Sequence, residues 1–560
     1  MAAPKNNSIR RLGTRLVAAA ATVLALAAEG AGAVGPAQAP GAAAAEMSAP
    51  AGRVHSSRPA GVAWFDGEIT DAFALARTTG RPVFLYWGAV WCPPCQELKA
   101  TVFKRRDFLD RLNLFVPVYL DGDAAGAQAW GERFKISGYP TVLVLRADQT
   151  ELARVSGGMD LARYAEVLEL ALGQDRPVQE LLAAVASPDP SAISPDECRR
   201  LAYNAWMLDD AWVQHPESLG GLAQQLGRAA QRCPQTAPVE RARLQVTAVH
   251  AAVSAETKDL QSGRAPSAPL RGLLEPVPGI VSNAALAPAI GDALWYLPAE
   301  FFSAAATAFP QHGAKTTGQG REALRRRWFV LMDELSADPR YSPSDQLDAL
   351  RSKLVAAKAL SPDGKISALL ATAVTRRIDQ ALAREHEPYA RSSLVNSALN
   401  VLDVLGDDRR AHDILAGEVK SAAYPYYYMA DLGELEEKLG HVDLAIDWLA
   451  RSYQYAQGPA TRFQWGVGYV RGLVRMRPKD DAAIRSSTLS VLSDLDAAAD
   501  LHGRTLRALW RLEASLRDWN KDASHATAIE AVRERMRAIC QRVPADDSAH
   551  PVCMQFLINA

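Results

Sequence analysis

Cys92 and Cys95 stand two residues apart, with Pro93 and Pro94 between them and Trp91 before them. A cysteine attacks a disulfide only as its thiolate, and a free thiol is mostly protonated at neutral pH. The start of a helix changes that balance, because its unpaired N–H groups and partial positive charge favour the anion. A pair spaced this way puts both sulfurs on one face of a first helical turn, where a bridge between them carries little strain. This pattern points to thiol–disulfide exchange. Cys92 opens the turn and is expected to be the attacking and more exposed thiol. Cys95 lies inside it and is the resolving thiol that releases the product. A zinc or copper site would need two further ligands. No histidine occurs between His55 and His215, and no third cysteine lies nearby. A cysteine hydrolase would need a histidine base, and the same gap counts against it. Neither a metal nor any other cofactor is expected.

The elements around the pair fit that requirement. Val83 to Trp87 is a continuous apolar, aromatic-rich run that reads as a buried central strand, and a helix carrying Leu98, Val102 and Phe103 is predicted from Cys92 onward. Ile69 to Arg77 reads as a helix, Leu114 to Leu120 as a second buried strand, and Ala124 to Phe134 as a helix. Pro117 argues against that second strand, because it removes a ladder donor. Thr141 to Leu145 is a third strand. Asp148-Gln149 turns into a fourth at Glu151 to Ser156, and Asp160 can cap a last helix through Ala171.

Together with Gly138-Tyr139-Pro140-Thr141, the Trp-Cys-Pro-Pro-Cys segment makes roughly Gly61 to Gly173 resemble the thioredoxin-like family, in particular the modules of envelope thiol–disulfide interchange proteins. The resemblance covers about a fifth of the chain. It implies an α/β thioredoxin fold, with Cys92 and Cys95 as the catalytic pair. It also implies that Pro140 is a cis-proline facing the pair, with Trp91, Tyr139, Pro140 and Thr141 contacting an extended substrate segment. Two departures stand out. The family's buried acid would fall at Tyr86 and its common lysine partner at Pro117, so the usual proton acceptor for Cys95 is missing. Asp121 or Glu97 could replace it, although each also reads as an ordinary surface charge. Potentials across such motifs range from about −270 to about −120 mV, which leaves the direction of electron flow open.

After Gly173 the strand signals stop. A Pro-rich segment leads into a chain that is nearly all helical pattern to Ala560. Leu405-Gly406 with Ala411 and Ala416 recurs 34 positions on as Leu439-Gly440 with Ala445 and Ala450, and Leu432-Gly433 adds a first-helix Leu-Gly. This spacing resembles tetratricopeptide repeats, which implies a larger all-α helical-repeat region; an irregular helical bundle is the alternative. Tyr424, Tyr426, Tyr427 and Tyr428 read as packing within it. The predicted organisation is a signal segment at 1–33, a disordered linker at 34–60, the thioredoxin-like domain at 61–173, a linker at 174–195 and the helical-repeat domain at 196–560.

The signal rests on Lys5, Arg10, Arg11 and Arg15 ahead of the apolar stretch Leu16 to Ala28, followed by Ala31-Gly32-Ala33 and Ala37-Gln38-Ala39. Export, with the periplasm as first choice and the extracellular space as second, is the expectation. In an oxidising compartment the remaining cysteines read as structural bridges, Cys540 with Cys553 and, as the second candidate pair, Cys198 and Cys233. With a net charge of −1 and no Lys/Arg run that forms a basic patch, no nucleic-acid partner is expected. No second apolar run is long enough for a membrane helix. The implied partners are client proteins with thiols or disulfides and a redox partner that recycles the pair. The competing reading is a non-catalytic, partner-binding helical scaffold with the first domain as a docking module.

Overall fold

The computed structural model describes residues 58–155, 168, 171–172, 176–186, 193–209, 212, 216–306, 317–496 and 500–556. The predicted signal segment, most of the linker before Ala60 and the predicted helix from Asp160 lie wholly or mostly outside these residues.

The first domain is a four-stranded mixed sheet in the order β2-β1-β3-β4, with β1 at Val83–Gly88, β2 at Val116–Asp121, β3 at Thr141–Leu145 and β4 at Glu151–Val155. β1 runs parallel to β2 and antiparallel to β3. All six residues of β1 are buried, as expected of a central strand. Its side chains alternate between two cores. Val83, Leu85 and Trp87 face α1 (Ile69–Thr79), and Phe84 and Tyr86 face α2 (Pro93–Ala100).

β2 differs from the sequence expectation. It is an edge strand and only partly buried. This resolves the objection raised by Pro117, since an edge strand has one side that needs no ladder donor. The helix predicted from Cys92 through Phe103 also breaks early. α2 ends at Ala100, a single tight turn covers Val102–Lys104, and α3 occupies Arg106–Leu112. The Thr101 hydroxyl donates to the Glu97 carbonyl at 2.7 Å, and Phe103 turns inward to within 4.9 Å of the Tyr86 ring. α4 is Ala127–Arg133. The turn into β4 forms as predicted, with Gln149 at φ 74° and the Thr150 N–H donating to Asp148 Oδ1 at 2.9 Å.

The rest of the described chain is all-helical. The stretch 174–195, expected to be a linker, contains the helix Val178–Ala186, whose Val178, Leu181, Leu182 and Val185 form a buried stripe at helical spacing. Prolines on either side mask it in the sequence. The helix Pro195–Tyr203 follows, and the chain after it closes the β4 edge. Ala205 N–H donates to the Arg154 carbonyl, and Arg154 N–H donates to Asn204 Oδ1, both at 2.8 Å. An otherwise open strand edge is thereby satisfied. One hydrophobic core runs from Phe84 and Tyr86 through Cys198, Trp206 and Trp328 to Tyr426, so the two parts share an interior.

Toward the C-terminus the helices form hairpins. Pro388–Leu405 pairs with Asp408–Ser421, and Pro425–Leu439 pairs with Val442–Tyr455. Gly406 and Gly440 end the first helices in left-handed conformation. Gly433 lies where two helices cross, and a Cβ there would fall 2.7 Å from Leu449 Cγ. The cysteines pair as Cys198–Cys233, with Cα atoms 5.6 Å apart, and Cys540–Cys553, with Cα atoms 5.5 Å apart.

Candidate active site

The sheet register places the chemistry. Gly88 pairs with Asp121, and Trp87 with Thr141, so the ends of β1 and β2 and the start of β3 lie together. The loop from β1 carries Trp91 and Cys92. The peptide before β3, Tyr139–Pro140, is cis.

Cys92 is the N-cap of α2, and Pro93 takes the first helical position, where no N–H is required. Cys92 and Cys95 form a disulfide with Cα atoms 5.2 Å apart. The Cys95 backbone N–H donates to Cys92 Sγ at 3.2 Å. That bond would stabilise negative charge on Cys92 once the bridge opens, which is the property the exchange reaction needs. Cys92 is the less buried of the two, as expected, but by little: it is 3% exposed and Cys95 0%.

Behind the pair, Tyr86 occupies the expected acid position, fully buried, and donates weakly to the Cys95 carbonyl at 3.4 Å. Neither proposed substitute for the acid is a free surface charge. Asp121 accepts from the Asp123 N–H at 3.0 Å and the Tyr119 hydroxyl at 3.3 Å, and burial raises its carboxyl above the usual range. Glu97 accepts from the Ser344 hydroxyl of the helical region. Sequence reading passed over Lys99. It lies one turn beyond Cys95 on α2, is buried, and is pushed down to about 8 by that burial, with Asp121 partly offsetting the shift.

The predicted substrate contacts are mostly engaged within the chain. The Thr141 hydroxyl donates to the Gly138 carbonyl at 2.8 Å. Tyr139 stacks on Trp87 at 5.7 Å, and burial pushes its phenol up to about 12. Trp91 is packed edge-on against Trp465 at 4.8 Å and stacked on Tyr427 at 5.8 Å. Tyr427, read as repeat packing, thus meets the redox motif itself. The Arg504 guanidinium sits 4.3 Å from the Tyr139 ring centre and 5.4 Å from that of Trp91.

Five helices of the helical region bring their first turns to this face. Pro343–Leu360 presents Ser344 to Glu97. Pro388–Leu405 presents Tyr389, whose ring lies 5.6 Å from Lys99 Nζ. Pro425–Leu439 presents Tyr427, Pro459–Met476 presents Thr461, and Gly503–Trp519 presents Arg504. Thr461 bonds to both Trp91 and Asp123. It accepts from Trp91 Nε1–H at 2.8 Å and donates its hydroxyl to Asp123 Oδ2 at 2.5 Å. Its backbone N–H donates to Asp123 Oδ1 at 2.7 Å. Burial pushes Asp123 up to about 6, against the opposing effect of these bonds. Gly458 permits the approach, since a Cβ there would meet Asp123 Cγ at 2.5 Å. No local pattern links Thr461 to Trp91, some 370 residues away.

Among the described residues no cluster of three or more His, Cys, Asp or Glu is placed to hold a metal, and no helix is long and apolar enough to cross a membrane. In comparisons with known proteins, a family model for a thioredoxin-like domain matches residues 69–172. No curated protein matches the chain. Residues 69–172 therefore form a thioredoxin-like domain, which carries a close cysteine pair and is followed by an all-helical region.

Proposed function

We propose that this chain is an exported thiol–disulfide oxidoreductase acting on client proteins in the periplasm. The observation that carries the reading is the Cys92–Cys95 bridge at the start of α2, with the Cys95 N–H directed at the Cys92 sulfur. In the reducing direction, the Cys92 thiolate attacks a client disulfide. A Cys92–client bond forms and one client thiolate leaves. Cys95 then loses its proton and attacks Cys92 Sγ, so the client departs with both sulfurs reduced and the pair is oxidised. A dithiol partner restores the pair, and the oxidising direction is the reverse. The helical hairpins, which we read as tetratricopeptide-like, would hold the client or that partner. The envelope interchange likeness and the amino-terminal signal pattern support the compartment.

A second reading has its own support. The cysteine face is covered by helices of the same chain, as it would be if the first domain only anchored a binding scaffold. A trapping experiment separates the two. Cys95→Ser should accumulate covalent client complexes on non-reducing gels of the native host's envelope fraction, and Cys92→Ser should accumulate none. If Cys95→Ser traps nothing and the wild-type protein neither reduces nor oxidises a model disulfide, the scaffold reading replaces the enzyme.

A further inference from the structure

The exchange reaction proposed above requires an extended client segment to reach Cys92 beside Trp91 and Tyr139. Those ring faces are occupied by Tyr427, Trp465 and Arg504. The occupying helices also depend on the first domain for their ends. The first N–H groups of a helix have no partner within it. Gly458, the N-cap of Pro459–Met476, has no side chain to supply one, and His502, the N-cap of Gly503–Trp519, makes no capping bond. The first domain provides the acceptors. Asp123 takes the Thr461 N–H, Glu132 takes the Gly503 N–H at 3.0 Å, and the Gln128 side-chain oxygen takes the Arg504 N–H at 2.9 Å. In return Asp500 accepts the Gln128 N–H at 2.9 Å.

We propose that the late helices carrying Tyr427, Thr461 and Arg504 are a movable cover over the redox pair, latched by these caps from the first domain and by the Thr461 hydroxyl, while the earlier helices stay joined to the first domain through the shared core, and that a protein disulfide reaches Cys92 only when the latch parts. The proposal rests on the exchange reading and adds its regulation. The polar groups on both sides of the latch are ones that water can satisfy once they separate, whereas the rings of Trp91, Tyr427 and Trp465 favour the closed arrangement. The carboxylates and helix N–H groups rehydrate, and each contact adds only a modest preference for the closed arrangement. The geometry is also selective for size, because both sulfur-bearing residues are buried next to the covered Trp91.

The test uses the full chain with Cys95→Ser, so that Cys92 is a lone thiol. The probe is a polymer-linked pyridyl disulfide. The Cys92 thiolate bonds to the polymer sulfur, and pyridine-2-thione leaves and is read by its absorbance. Rates are compared at the pH plateau where Cys92 is fully ionised, with the unfolded chain as reference. The cover predicts folded protein at least a hundredfold slower than unfolded. Thr461→Val should accelerate the folded protein about thirtyfold, as expected for two hydrogen bonds of ordinary strength. Asp123→Ala, which removes a cap from the other side, should act in the same direction. Amide exchange in the helix Pro238–Ala255, remote from the latch, serves as the folding control and should not change. The cover is overturned if folded protein reacts within threefold of unfolded, or if both variants stay within twofold of the parent. With Cys95 restored, the two ideas separate. Freed Cys92 without turnover of a model disulfide refutes the exchange reading and leaves the cover standing. Turnover with unaltered access refutes the cover and leaves exchange standing.

Discussion

Lowering the pH should close the cover, and the share carried by Asp123 can be worked out. In the closed arrangement burial pushes its carboxyl up to about 6. Released into water it would return to about 3.9. The closed state therefore binds the proton more tightly, and its advantage is complete below the open value and lost as pH rises through the closed value. At pH 5 the closed carboxyl is mostly protonated and the open one mostly ionised, which favours closure about tenfold relative to pH 7.5, or about 1.4 kcal/mol. Asp121 and Arg504 face Asp123 and act on it in opposite directions. His502, the N-cap of Gly503–Trp519, is also raised, chiefly by its bond to Asp500, and adds in the same sense, while Lys99, lowered to about 8 by burial, opposes it at alkaline pH. The comparison that isolates Asp123 is the rate ratio between the Cys95→Ser chain and the same chain with Asp123→Asn, using the pyridyl disulfide probe. Ionisation of Cys92 cancels in that ratio. It should rise about tenfold between pH 5 and pH 7.5. A flat ratio, or one that falls, would refute the assignment of Asp123 as a titrating part of the latch.

Other perturbations test the frame. Replacing Cys540 and Cys553 together by Ser should lower stability by about 3 kcal/mol, the chain-entropy value for a loop closed over 13 positions, measured by denaturant unfolding. Removing Cys198–Cys233, with a separation of 35, should cost nearer 4 kcal/mol by the same relation, and equal costs would count against it. Arg243→Met should destabilise by about 3–5 kcal/mol, because buried Asp292 would lose a partner that holds it at 2.7 Å. A loss below 1 kcal/mol would show that Asp292 finds another partner.

The parts of the site that sequence made legible are those written locally. The apolar run at Val83–Trp87, the Cys-Pro-Pro-Cys start of a helix and the Asp148-Gln149 turn each depend on neighbours within a few residues, and each forms as read. The misjudged elements depend on distant partners. α2 ends at Ala100, and the chain beyond it brings Phe103 against Tyr86 and Phe108. The helix Val178–Ala186 is hidden by flanking prolines, and its buried stripe packs against Pro216–Arg232, Pro195–Tyr203 and β4.

From sequence alone the protein has a cysteine pair at a helix start, an α/β unit to position it and a long helical remainder. Spacing, propensity and periodicity settle those features because they act over one or two turns of chain. Only the tertiary structure decides that β2 is an edge that tolerates Pro117, that Lys99 is buried, and that Asp123 serves as a helix cap for a segment some 338 residues away. A lone aspartate, threonine or tyrosine has no pattern of its own, and its role follows from what burial and approach bring within about 3 Å.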